Sequence, residues 1–198
     1  LLDYKLMEGL SQASAAANYN FDSLYIPFRC MASDIENKEQ VMFDRGHLSV
    51  AVRASSTYPF YLQPIRVDGM LLYDGGLYNN FPSDVMYEEF LPDIILGCNV
   101  SGNVAPPKED DLLSQLENMI RAKSNFDLLC EAMIIVEPNS KVGTFDFDRI
   151  HVAVNDGYTS TMARMPEILD VIDHKVTLQE RTNKRRQFLK KYNPFVFD

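Results

Sequence analysis

The residues best suited to chemistry lie between Asp68 and Pro82, in the run Asp-Gly-Met-Leu-Leu-Tyr-Asp-Gly-Gly-Leu-Tyr-Asn-Asn-Phe-Pro. Asp74 closes an apolar run of strand type and is followed by Gly75 and Gly76. In open α/β sheets, ligands gather at the carboxyl ends of strands. Paired glycines let the backbone turn sharply and let another group come close. A carboxylate fixed at such a place can act as a general base. The same spacing also suits a plain turn aspartate that caps backbone N–H groups. Asp68 provides a comparison within the chain. Two β-rich runs flank Asp68-Gly69, so a hairpin turn with positive φ at both central positions accounts for it.

Other chemical candidates are weaker. Ser55 and Ser56 have no G-x-S-x-G elbow around them, which disfavours either as a nucleophile. His47, His151 and His174 are scattered, and none pairs with a nearby acid or Cys at metal-ligand spacing. They are expected as surface or core histidines, with no metal and no cofactor. Cys30, Cys98 and Cys130 lie in apolar runs and are expected as buried small hydrophobes. Asn155-Asp156-Gly157 lacks the alternating acids of a calcium loop and reads as a helix break.

The elements that must position Asp74 follow from the hydrophobic pattern. Helices are expected over 2–17, 47–56, 82–91 and 111–123, with a stripe of Val85, Met86 and Phe90 on the third. Strands are expected over 24–33 and 40–44, with Pro27 weakening the start of the first. The continuous apolar runs 93–100 and 132–136 read as strands buried on both faces. Residues 148–172 read as helix interrupted near Gly157 and Pro166. Residues 101–111 read as a surface loop. Alternating buried strands and amphipathic helices predict an α/β fold with a largely parallel sheet.

Composition narrows the class. The 198 residues are 46% hydrophobic and 24% charged, ordinary for a globular domain. A net charge of −9 argues against general nucleic-acid binding. Three Cys with no C-x-x-C exclude a disulfide scaffold. No apolar run approaches the length of a membrane-spanning helix. Charge is uneven, since residues 175–198 hold seven Lys/Arg against two acids, a net +5 that leaves −14 for the first 174. This segment reads as a solvated helix ending near Tyr192. A surface facing anionic lipid is the sharper reading.

Three runs together resemble the patatin-like phospholipases in order and spacing. They are Ile26–Asp34 (Ile-Pro-Phe-Arg-Cys-Met-Ala-Ser-Asp), Ala51–Pro59 (Ala-Val-Arg-Ala-Ser-Ser-Thr-Tyr-Pro) and Asp74–Pro82 (Asp-Gly-Gly-Leu-Tyr-Asn-Asn-Phe-Pro). The likeness continues through 93–101 and more weakly through 144–158. It implies a three-layer α/β/α fold with a largely parallel central sheet, here incomplete at its N-terminal side. It implies a lipid acyl ester hydrolase of phospholipase A type that uses a Ser–Asp dyad without His. In that family the Ser sits in a G-x-S-x-G elbow, and the Asp opens an Asp-Gly-Gly or Asp-Gly-Ala motif. By this match Asp74 is the base, and Gly75, Gly76, Asn79, Asn80 and Pro82 support its motif.

The sequence departs from the family at one point. It contains no G-x-S-x-G; Gly9-Leu10-Ser11-Gln12-Ala13 lacks the second Gly and follows no strand. No glycine-rich oxyanion loop is present either. The chain starts at Leu1 without Met. The expectation is that residues 1–192 are the later portion of the domain, with elbow and loop preceding Leu1. Alone, such a portion should not hydrolyse esters. A non-catalytic domain that keeps the fold for interaction is the alternative. Residues 193–198 read as the start of a linker, similar to bacterial relatives that continue into an outer-membrane β-barrel region at the cell envelope. The expected partners are a phospholipid or other acyl-lipid substrate and a membrane surface, without nucleic acid. Head-group preference and oligomeric state are not readable from the sequence.

Overall fold

Short turns decide how the first strands pair. A tight turn joins antiparallel strands, whereas parallel strands need a crossover of a dozen residues or more. The computed structural model describes residues 1–100, 109–112, 115, 116, 118, 132–138, 140–143, 145–172 and 175–190. Its described residues fall into two units, taken here in turn.

The first unit includes residues 1–80 and a C-terminal helix. Strands β1 (Cys30–Asp34) and β2 (Glu39–Phe43) form one hairpin, and β3 (Ile65–Val67) and β4 (Met70–Asp74) form another. β1 also pairs antiparallel with β4, giving the sheet order β2-β1-β4-β3. The α/β class stands, but these four strands are antiparallel, not parallel as alternation alone suggests. Asp68 (φ 50°) and Gly69 (φ 88°) make the expected hairpin turn. The strand expected over 24–33 begins only at Cys30, beyond Pro27, which has no N–H to give to a ladder.

Helices α1 (Leu2–Ala16) and α2 (Leu48–Ser55) pack on each other, and α2 lies against the sheet. Leu6, Leu10, Ala13 and Ala17 form the covered stripe of α1 at helical spacing. Leu48, Ala51 and Ala54 are the buried apolar stripe of α2. Leu48 and Ala51 join Phe21 in one core cluster, while Ala54 joins Ala32 and Leu72 in another. The two alanines let α2 sit close to β1 and β4. His47 at the start of α2 makes no side-chain cap. Ser14 of α1 supplies it instead, its Oγ accepting from Leu48 N–H at 3.3 Å.

The β1–β2 turn is held by Asp34, which is fully buried. Its carboxylate accepts from Asn37 Nδ2 at 2.7 Å and from the Glu36 N–H at 2.9 Å. The Asn37 side-chain bond, then the Glu36 and Asn37 backbone N–H bonds and the charge of Arg66, hold its pKa below the ordinary carboxylate value. A depressed folded-state pKa contributes stability above the unfolded pKa, about 3.9, and loses it as pH falls through the folded value. Asp34→Asn turns an amide toward Asn37, so it should destabilise the chain at neutral pH. The deficit should shrink below about pH 4, as urea midpoints of both proteins across pH would show. A constant deficit would mean that ionisation of Asp34 is irrelevant.

The second unit contains α3 (Ser83–Phe90), β5 (Ile94–Cys98), β6 (Ala132–Val136) and α4 (Ile150–Val171). β5 and β6 are parallel, as their apolar runs and long connection predict. Burial along β5 alternates, however: Ile95 and Gly97 are covered, whereas Ile94, Leu96 (57% exposed) and Cys98 face out. A continuous apolar run therefore belongs here to a strand covered on one face only, and Cys98 is exposed rather than buried. The expected stripe on α3 reduces to buried Val85 and half-buried Phe90, with Met86 exposed. Phe81 stacks its ring against Gly97, where a Cβ would strike the ring.

Helix α4 packs on β6 and runs unbroken through Gly157 and Pro166. The predicted interruption is absent, and Asn155-Asp156-Gly157 is helical. A Cβ at Gly157 would meet no atom within 4 Å. Gly157→Ala should stabilise the helix by about 1 kcal/mol, since only backbone freedom is lost. A raised urea midpoint would show it; a lowered one would refute it. The helix expected over 111–123, the loop 101–111, Cys130, His174 and the linker 193–198 lie largely or wholly outside the described residues.

Candidate active site

Asp74 is the last residue of β4, in register with Ala32 of β1. Its backbone N–H donates to Thr57 O at 3.0 Å. The chain then enters a 3-10 turn, Gly75–Leu77, and the Asp74 carboxylate caps it by accepting from Gly76 N–H at 2.7 Å. The carboxylate is therefore fixed from both ends at the end of a strand. A general base needs this kind of positioning, and a turn cap has it too.

The two glycines serve different purposes. Neither adopts positive φ; what they provide is room. A Cβ at Gly75 would lie 2.6 Å from the Met31 carbonyl carbon and 2.7 Å from Met31 Cβ, with the Met31 carbonyl oxygen closer still. The turn is thus pressed onto the backbone of β1. A Cβ at Gly76 would meet Asn80 Oδ1 at 2.5 Å and Asp74 Oδ1 at 3.0 Å. Gly76 lets these two side chains converge above the turn.

Asn79 closes the turn from below. Its N–H donates to Gly75 O at 2.9 Å, and its side-chain amide donates to Gln40 Oε1 on β2 at 2.9 Å. Asp74, Gly75, Gly76, Asn79 and Asn80 are thereby gathered in one turn of the first unit. Pro82 belongs to the second unit, at the N-cap of α3, where its O accepts from Met86 N–H at 3.0 Å. A proline there suits a helix start, where an N–H would be unsatisfied anyway.

One set of residues was not singled out from the sequence. Arg53 is buried in α2. It donates from Nε to Asp3 at 2.6 Å, from Nη1 to Thr57 Oγ1, and from Nη2 to Gln63 O at 3.1 Å. Thr57 is the residue whose carbonyl holds the Asp74 N–H. Arg53 therefore anchors the segment that anchors the carboxylate. The available signal was a single Arg within the small apolar run Val50-Ala51-Val52-Arg53-Ala54. A cation there must be either exposed or fully engaged. Ser33 is also buried, with its Oγ donating to Gly75 O at 3.5 Å.

The remaining candidates stay apart from this turn. Ser56 closes α2, its Oγ donating to Val52 O at 2.8 Å. His47 stacks edge-on with Tyr19 at 4.9 Å, and His151 is exposed on α4. Burial pushes the Cys30 thiol up to about 12, so at neutral pH it is neither nucleophile nor ligand. Among the described residues no cluster of three His, Cys, Asp or Glu could hold a metal. Among them, too, no helix is long and apolar enough to cross a membrane.

Fold and site together define an α/β chain with a carboxylate seated on a glycine pair at a strand end. Over residues 4–87 the chain matches the model of the patatin-like phospholipase family. It is similar to an uncharacterized NTE family protein of Mycobacterium bovis, 26% identical over 174 aligned residues that cover 73% of this chain and 30% of that protein. A second NTE family protein of M. bovis is 34% identical over 89 residues, 45% of this chain and 24% of its own length. A patatin-like phospholipase domain-containing protein of Caenorhabditis elegans is 40% identical over 67 residues, 33% of this chain and 5% of its own length. The chain thus spans under a third of the curated relatives it matches.

Proposed function

We propose that this chain carries the general base of a lipid acyl hydrolase. Patatin-like phospholipases act on lipids, and the match to that family over residues 4–87 supports a lipid ester as substrate. The observation that carries the reading is the seating of Asp74, held by Thr57 O through its N–H and by Gly76 N–H through its carboxylate. In the whole protein a Ser Oγ, supplied from outside these 198 residues, attacks the acyl carbonyl carbon while Asp74 takes its proton. The ester C–O bond then breaks, and Asp74 returns the proton to the leaving alcohol. Water cleaves the acyl-enzyme by the same exchange in reverse. His is not required, because the carboxylate itself is the proton acceptor.

The deciding measurement is hydrolysis of a fluorogenic phospholipid by the whole protein with Asp74 intact and with Asp74→Asn. Activity lost with the substitution supports the reading. Activity retained removes Asp74 from the chemistry. A whole wild-type protein that hydrolyses no ester supports a binding domain instead.

A further inference from the structure

The first unit ends in a helix whose charge opposes that of the chain. Helix α5 (Leu178–Lys190) carries five cations, Arg181, Lys184, Arg185, Arg186 and Lys190, against one acid. Its net +4 sits in a chain of net −9. The single acid, Glu180, is engaged in the N-terminal cap, accepting from Thr177 N–H at 2.8 Å while Thr177 Oγ1 accepts from Glu180 N–H. All five cations are exposed, and none forms an ion pair among the described residues.

The helix is nevertheless tied to the domain. Tyr25 donates its hydroxyl to Arg181 O at 3.1 Å, and its ring meets that of Phe188 at 6.3 Å. Large aliphatics lie open around this anchor: Leu178 (78% exposed), Leu189 (45%) and Ile26 (71%), the neighbour of Tyr25. Exposed aliphatics among cations are the make-up of a helix lying in a lipid interface. Basic side chains near an anionic leaflet each strengthen binding about fivefold.

We propose that α5, with Ile26 beside its anchor, is the surface by which this chain docks on an anionic phospholipid bilayer. The inference rests on the lipid-ester reading for its purpose, since a hydrolase of bilayer lipids must meet its substrate at the interface. Charge complementarity sets the sign of the surface, and the open aliphatics favour lipid over nucleic acid. Single-stranded nucleic acid is gripped by stacking aromatics, and the helix's one aromatic, Phe188, is spent on Tyr25.

The test is co-sedimentation of the 198-residue chain with vesicles of phosphatidylcholine, with and without phosphatidylserine. Binding should require phosphatidylserine and weaken as salt shortens the screening length toward about 3 Å near 1 M. The triple variant Lys184→Gln, Arg185→Gln, Arg186→Gln should lose roughly a hundredfold in partitioning. A control that removes three exposed cations elsewhere (Lys5→Gln, Lys38→Gln, Lys141→Gln) should lose far less. Leu178→Ser with Leu189→Ser should weaken binding several-fold at unchanged charge. Circular dichroism of every variant checks that the fold survives. Equal binding to neutral vesicles, equal loss in the control, or equal binding to a single-stranded oligonucleotide would overturn the proposal. Binding is read without catalysis, so a failed hydrolase reading would leave this result standing.

Discussion

Asp74→Asn in the whole protein is expected to lower kcat/KM for p-nitrophenyl ester hydrolysis by on the order of 10³- to 10⁴-fold. The substitution isolates basicity from structure. Asn keeps an oxygen that can accept from Gly76 N–H, now bonded at 2.7 Å, so the 3-10 turn retains its cap. The bond from the residue 74 N–H to Thr57 O belongs to the backbone and is unchanged. What Asn cannot do is take a proton from a serine. The loss should therefore fall on kcat, with KM for the ester little altered and the urea midpoint moved by no more than about 1 kcal/mol equivalent. An equal fall in stability would assign Asp74 to the turn alone. Full turnover would remove it from the mechanism.

What the sequence made legible was local. The Asp68-Gly69 hairpin was readable because the turn type demands positive φ at two successive residues, which few pairs tolerate. The end of α2 was readable from Pro59 just beyond it. The parallel pair β5–β6 was readable from its two short apolar runs and the alternation of strand and helix. The pairing of β1 with β4 was not, since it joins residues 40 or so apart through contacts that leave no periodic mark. The one-sided burial of β5 was hidden for a related reason. A run such as Ile94-Ile95-Leu96 records affinity for apolar surroundings, not whether both faces find them.

At the site, the stretch from Asp74 to Asn80 could be picked out from its types and spacing, but the supports around it could not. Thr57, just past the end of α2, holds the Asp74 backbone, and Arg53 on α2 holds Thr57. Ser14 caps α2 from another helix altogether. Such bonds depend on which elements come to lie together, and the sequence shows only that a buried cation needs partners. Pro166 is the converse case. Its pattern predicts a break, yet α4 continues across it, because packing along the helix outweighs one missing backbone donor.

The difference between the two glycines leads to the second large effect. Gly75→Ala is expected to destabilise the chain by about 3 kcal/mol, and Gly75→Val to prevent folding. The obstacle is the backbone of Met31, with the carbonyl carbon 2.6 Å from the added Cβ. Met31 cannot move aside cheaply, because it is in register with Met42 of β2 and its neighbour Ala32 is in register with Asp74 of β4. Shifting it strains the first ladder directly and the second through Ala32. At Gly76 the obstacles are the ends of side chains, Asn80 Oδ1 and Asp74 Oδ1, which can rotate away. Gly76→Ala should therefore fold with a small loss of stability, while displacing the carboxylate it brushes against. This asymmetry gives a physical reason why a motif of the kind Asp-Gly-Gly can also occur as Asp-Gly-Ala: the first glycine meets backbone and the second meets rotamers. Urea denaturation of the two single variants, set beside ester hydrolysis by the whole protein carrying Gly76→Ala, separates the two effects. Equal stability losses at the two positions would show that β1 yields as easily as a side chain. The turn would then not be pressed against a fixed strand.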